Sequence, residues 1–150
     1  MLSLLIADDD AQARAMLGNL LLEAGYDVLT TDSAAQVLEV ILKNKNVARV
    51  LILGRQVDGL SAADLLPVLN KCKSDLKVIL VSEDVSLPVM RCLRRDGIFY
   101  HLLKSPGGED REELQQVVEC AFRKLGVEQG IAGGERRPLI QEPQLEGRRP

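Results

Sequence analysis

Five times between residues 2 and 125, a short apolar run is followed by a longer stretch with apolar residues at helical spacing. That alternation limits the chain to one class of fold. The first run, Leu2 to Ala7, is broken only by Ser3 and is short enough for a strand buried on both faces. Behind it Met16, Leu17, Leu20, Leu21 and Ala24 share one helical stripe, which Gly25 closes. Tyr26 to Thr31 reads as a weaker strand. Its only aliphatic residues are Val28 and Leu29, which suits an edge position. Ser33 with Gln36 has the pattern of a capping box ahead of a second stripe, Val37, Leu38, Ile41 and Leu42.

The third run, Val47 to Leu53, stops abruptly at Gly54. Residues 61–72 read as the next helix, which Pro67 is expected to kink or shorten. Leu76 to Val81 is a fourth strand ending at Ser82, and Ser86 with Pro88 opens a helix that runs to Arg95. Ile98 to Leu103 is the fifth strand. Asp110 and Glu113 form a capping box for a last helix, in which Leu114, Val117, Val118, Ala121, Phe122 and Leu125 keep helical spacing until Gly126. Five βα units in a row imply an α/β fold: a five-stranded parallel sheet covered by helices on both faces, with right-handed crossovers. For five strands the flavodoxin-like (βα)5 order 2-1-3-4-5 is expected. One domain is thus assigned to residues 1–126. Residues 127–150, rich in glycine and proline and poor in apolar residues, read as a flexible tail.

Composition removes several function classes. Apolar residues make up 46%, as in a globular chain, and a net charge of −3 gives no reason to expect nucleic acid as a partner. Cys72, Cys92 and Cys120 are odd in number and far apart, which suits reduced thiols rather than disulfides or a zinc site. The first residues run straight from apolar into three aspartates, unlike a signal peptide, and no segment approaches the ~20 apolar residues of a membrane span. A cytoplasmic location and no membrane contact are expected.

In open parallel sheets ligands bind at the carboxyl ends of the strands. The residues there are Asp8, Asp9 and Asp10, then Gly54, Ser82 and Lys104. Carboxylates, a hydroxyl and a lysine on one rim suit magnesium-assisted phosphoryl chemistry. The segments Leu-Ile-Ala-Asp-Asp-Asp at 5–10 with Arg14, Arg49-Val-Leu-Ile-Leu-Gly54 with Asp58 to Leu66, Val78 to Ser82, and Asp96 to Pro106 stand in the order and spacing of response regulator receiver domains. The chain resembles that family over residues 2 to 124. The resemblance implies that Asp8 and Asp9 are the acidic pair that helps hold magnesium. It makes Ser82 the hydroxyl that bonds the phosphoryl group, Lys104 the neutralising cation and His101 the rotating aromatic position.

The departures from the family carry the functional expectation. Where the family's third strand ends in the phosphate-accepting aspartate, this chain has Gly54, so neither the nucleophile nor that metal carboxylate is present. Asp58 stands where the family has proline, and Ser61 where it has an acidic residue. The family's Lys-Pro becomes Lys104-Ser105-Pro106. The reading is a pseudo-receiver: a protein-interaction module of a phosphorelay system, not an enzyme, with no cofactor expected and magnesium bound weakly or not at all. Asp8 and Asp9, left without a metal, are expected to repel each other, and an aspartate restored at residue 54 is expected to recover part of the acceptor site. Docking of a signalling protein or of a second copy is placed on the face carrying Arg91, Arg94, Arg95, Glu112, Glu113 and Glu119. The alternative is an active receiver that takes phosphate elsewhere or senses a small ligand in the acidic pocket. A flavodoxin-like redox enzyme lacks support, since no phosphate-cradling loop follows the first strand and the chain has no tryptophan.

Overall fold

The computed structural model describes residues 2–43, 49–73, 75–83, 86–103 and 111–128. Strands β1 (Ser3–Ala7), β2 (Asp27–Thr31), β3 (Val50–Leu53), β6 (Lys77–Ser82) and β7 (Tyr100–Leu103) form one parallel sheet in the order β2-β1-β3-β6-β7. This is the expected 2-1-3-4-5 arrangement, because the two intervening strands, β4 (Gln56–Val57) and β5 (Leu60–Ser61), make a separate small hairpin. The helices are α1 (Ala11–Glu23), α2 (Ala34–Lys43), α3 (Ala62–Cys72), α4 (Leu87–Arg95) and α5 (Arg111–Glu128).

Alternation along each strand sorts the apolar side chains into two cores, one on each face of the sheet. Leu5, Leu51, Leu53, Val78 and Leu80 point to one side, where Val37 and Ile41 of α2, Leu65, Leu66 and Leu69 of α3, and Leu93 of α4 cover them. Leu4, Ile6, Val50, Ile52, Ile79 and Val81 point to the other, under Leu17, Leu20 and Leu21 of α1 and the Leu114 to Leu125 stripe of α5. The central strands β1 and β3 are buried almost throughout, whereas β2 at the edge has its middle exposed. The apolar density of the runs read from sequence reflects that difference.

Several local expectations are corrected. β3 begins at Val50 rather than Val47, and residues 44–48 lie outside the described ones. Pro67 neither ends nor shortens α3, which runs from Ala62 to Cys72 through it. The ring costs one helical hydrogen bond, to the carbonyl of Ala63, while Leu65, Leu66 and Leu69 stay buried in the core and hold the helix in place. Gly126 does not end α5, which continues to Glu128; the remainder of the expected tail lies outside the described residues, as does Asp110. The capping box at α2 is half formed: Gln36 N–H donates to Ser33 Oγ at 3.2 Å, but the Gln36 side chain pairs with the Thr31 hydroxyl instead.

At the edge opposite the strand ends, Arg49 pairs with Asp75, joining the entries of β3 and β6, where Lys77 N–H also donates to the Arg49 carbonyl at 2.9 Å. Partial burial pushes the Asp75 carboxyl up, but the hydrogen bond and charge of Arg49, with Lys73 nearby, hold it below the ordinary carboxylate value of 3.8. A depressed folded pKa contributes stability at neutral pH that is lost as pH falls from that value through the lower folded one. Asp75→Asn is therefore expected to flatten the fall in melting temperature between pH 5 and pH 3, by an amount kept small by solvent screening. Parallel melting curves for the two proteins across that range would remove Arg49–Asp75 as a source of acid sensitivity.

Candidate functional site

Because all five strands of the sheet run the same way, the residues after Ala7, Leu53 and Val81 emerge on one rim. The register puts Ala7 beside Leu53 and Leu53 beside Leu80. Backbone bonds carry the ladder one residue further: Asp8 N–H donates to Thr31 O at 3.1 Å and Gly54 N–H to Ala7 O at 2.8 Å. An open cavity of about 370 Å³ lies on this rim, lined by Asp8, Asp9, Asp10, Arg55, Gln56, Val81, Ser82 and Glu83. The fold thus brings together Asp8, Asp9, Gly54 and Ser82 as the strand ends suggested. Lys104 lies outside the described residues, as do Ser105 and Pro106.

Each aspartate of the rim has its own task. Asp10 caps α1, its Oδ1 accepting from Gln12 N–H and Ala13 N–H at 3.0 and 3.2 Å. Asp9 reaches across to the hairpin, where Oδ1 accepts from Asp58 N–H at 2.6 Å and Oδ2 from Gly59 N–H at 3.1 Å. Its own N–H donates to Gln56 O at 3.0 Å. Asp8 is buried, accepts from Asp10 N–H at 3.0 Å, and has its carbonyl bound by the Arg14 guanidinium at 2.7 Å. The Asp9 carboxylate, expected to repel that of Asp8, is met by two backbone donors.

The space over Gly54 is occupied by a side chain from the neighbouring strand end. Gly54 is not among the described glycines with positive φ, which are Gly25, Gly59 and Gly97, so its backbone does not call for glycine. What stands over its Cα is the Asp8 carboxylate. A Cβ at residue 54 would lie 2.6 Å from Asp8 Oδ1 and closer still to Cγ and Oδ2, well inside any tolerable contact. Asp8 fills the volume that a side chain at 54 would need. An aspartate placed at residue 54, expected to recover part of the acceptor site, therefore requires the Asp8 side chain to turn aside.

The hairpin was not foreseen. Asp58 and Gly59 both have positive φ, +58° and +77°, and join the antiparallel pair Gln56–Ser61 and Val57–Leu60. An Asp-Gly pair between two short runs is the sequence signal for a two-residue turn of this kind, and it was available at 58–59. The Asp58 carboxylate points away from the cavity mouth, accepting from Ala34 N–H at the start of α2 at 3.4 Å.

Ser82 and His101 are also brought together. Ser82 is 3% exposed, and its Oγ shares a 2.9 Å hydrogen bond with His101 Nε2 from the neighbouring strand β7. The half-buried ring is thus turned toward the rim. On the far flank of β7 the Tyr100 hydroxyl donates to Glu113 Oε2 at 2.5 Å, so Glu113 is engaged within the chain. Glu119 acts on Tyr26, whose hydroxyl is pushed up first by burial and then by that carboxylate, and whose ring stacks on Phe122 at 5.6 Å. Arg91, Arg94, Arg95, Glu112 and Glu119 are exposed.

Magnesium asks for near-octahedral oxygen ligation with several well-placed donors. Among the described residues no group of three or more acidic, histidine or cysteine side chains is placed to hold a metal ion, and Asp9 already spends both oxygens on amides. The residues present do not fit the ion.

A sheet of this order with acidic residues, a buried hydroxyl and an aromatic partner at its carboxyl rim defines a signalling receiver module. The family model for the response regulator receiver domain matches residues 4–119, and the chain belongs to that family. Among its relatives are the transcriptional regulatory protein GlrR of Escherichia coli, 27% identical over 121 residues, and the DNA-binding transcriptional regulator NtrC of a Bradyrhizobium species, 34% identical over 121 residues. These matches take in 81% and 80% of the chain but only 26% and 24% of the relatives, so it spans about a quarter of their length. The receiver domain protein of Clostridium thermocellum has the same fold, with a TM-score of 0.75 at 23% identity, covering 85% of this chain and 98% of that one. NtrX of Brucella abortus, solved with ADP, also superposes at 0.75 with 22% identity, covering 88% of this chain and 30% of that one.

The Asp8–Gly54 exclusion makes a specific prediction. Gly54→Asp alone should lower stability by about 1–3 kcal/mol, the usual range for overpacking, because Asp8 must leave its place and two carboxylates then crowd one volume. Adding Asp8→Ala should return much of that loss. Urea unfolding of the two single variants and the double variant forms the cycle, and strictly additive effects would mean that the two residues do not compete for space.

Proposed function

We propose that this domain is a pseudo-receiver: a protein-interaction module in two-component signalling that keeps the receiver scaffold and works without phosphoryl transfer. The observation that carries the reading is Gly54 at the end of β3 with the Asp8 carboxylate lying over it. Glycine offers no nucleophile, and a buried Asp8 takes the volume where an acceptor would stand. By resemblance Ser82, His101 and Lys104 hold the phosphate-switch positions, and Asp8 and Asp9 the vestigial metal pair. The Ser82–His101 bond gives the switch a fixed setting that no phosphoryl group is needed to impose. The domain works as a binding module rather than an enzyme, in the cytoplasm, with no cofactor and at most weak magnesium binding.

Its partner is a signalling protein or a second copy, engaged through the α4–β7–α5 face. The charges that support this are Arg91, Arg94 and Arg95 with Glu112 and Glu119, since Glu113 is engaged by the Tyr100 hydroxyl. Three regulators among its relatives carry DNA-binding in their names, but the chain is acidic overall and matches at most about a quarter of their length. We assign no nucleic-acid contact to this domain.

Incubation with acetyl phosphate and magnesium, followed by intact mass measurement, is expected to show no stable phosphoryl adduct. A stoichiometric gain of one phosphoryl group, lost on mild alkaline treatment, would establish an active receiver with another acceptor. Charge reversal of Arg91, Arg94 and Arg95 together is expected to abolish self-association or partner capture while leaving the melting temperature within a few degrees. Unchanged sedimentation and unchanged partner binding would move the docking face elsewhere.

A further inference from the structure

A second cleft, of about 340 Å³, opens beside the acidic cavity and shares Arg55, Gln56 and Ser82 with it. Its size falls within the range of small-molecule sites. Leu80 of β6 forms part of its lining, together with the first turn of α3 and with Val89 and Leu93 on α4. Among the described residues, Arg55 is the only charged one that lines it. The Arg55 side chain is exposed and has neither an ion pair nor a hydrogen bond among the described residues. Its backbone, by contrast, is pinned: the Arg55 carbonyl accepts from Ala62 N–H at 3.0 Å, which fixes the guanidinium's root at the cleft. The hydroxyls of Ser61 and Ser86 each accept a backbone N–H as helix caps, at 3.1 and 3.4 Å, which leaves their own protons to donate. At this end of the cleft the polar groups are therefore a cation and hydroxyl donors, while the α4 wall is aliphatic.

We propose that this cleft binds a small amphiphilic anion, with a carboxylate held by Arg55 and an apolar body lying against Val89 and Leu93. The sign of the charge follows from Arg55, since a cationic ligand would meet the one guanidinium that lines the space. Four carboxylates line the neighbouring cavity. Asp9 and Asp10 each accept two backbone N–H groups and Asp8 accepts one, which offsets part of their charge, and Glu83 is exposed, where water screens it. The starts of α3 and α4 at the same end add positive partial charge. The apolar requirement follows from the wall, where Val89 is 39% exposed beside the buried Leu80 and Leu93. This inference goes beyond the pseudo-receiver reading and does not depend on Gly54.

Octanoate is the probe, with octylamine and octanol as partners matched in chain length, titrated into the full chain and followed by amide-resolved NMR. Octanoate is expected to give saturable shifts at Ala63 and Val89, with octylamine and octanol at least tenfold weaker. Arg55→Gln, an exposed change that leaves the fold intact by its own spectrum, is expected to weaken octanoate about tenfold, as loss of a charge-assisted contact does. Val89→Asp, at a partly exposed site, is expected to abolish binding by placing a carboxylate in the apolar wall. The proposal is overturned by any of four results: no saturable shift with millimolar octanoate, equal binding of octylamine or octanol, Arg55→Gln binding as tightly as the parent, or shifts that map away from the cleft.

Discussion

Parallel pairing of five strands is the constraint on which everything else in this molecule depends. A parallel sheet cannot leave a face to water, so helices must cover both sides, and the polar ends of the strands then have only one rim to occupy. The two cores, α2–α3–α4 on one face and α1–α5 on the other, follow from that requirement. So does the convergence of Asp8, Asp9, Gly54 and Ser82, which are far apart in sequence and have no local reason to meet. The chemistry of the rim is set by which side chains happen to end each strand.

At that rim the residue after β3 and the Asp8 side chain share one volume. With glycine after β3 the volume above its Cα is open, and Asp8 lies in it, bound through its neighbours Asp10 and Arg14. Asp9 is drawn the other way, onto the amides of the hairpin turn. The two adjacent carboxylates thus face different partners, one over Gly54 and the other on the turn.

The fold was legible because its signals were long and periodic. The Leu114 to Leu125 stripe and the apolar runs of β1 and β6 each had only one reading. What escaped sequence reasoning was decided by contacts between distant segments. Gln36 has the spacing of a capping box, yet the Thr31 hydroxyl, brought close by β2, takes its side chain. Pro67 has the chemistry of a helix breaker, yet burial of Leu65, Leu66 and Leu69 outweighs one missing hydrogen bond. At the site, the identities of the rim residues could be read from position, but the orientation of Asp8 could not, because it depends on empty space at a residue 46 positions away. The Asp-Gly turn at 58–59 is different: its signal is local and lies in the two residues themselves.

The bridge from Asp9 to the turn at Asp58 and Gly59 joins residues 49 and 50 positions apart. A two-stranded ribbon of two residues a side has little stability of its own. Its order is therefore borrowed from the first strand, and can exist only once β1 and β3 lie side by side. Bringing together segments so distant carries a loop-closure cost that must be met before the bridge contributes anything. The amides of Asp58 and Gly59 consequently act as internal reporters of whether the amino-terminal strand is seated. Any event that lifts β1 from the centre of the sheet, even briefly, releases the loop on the opposite side of the rim in the same motion.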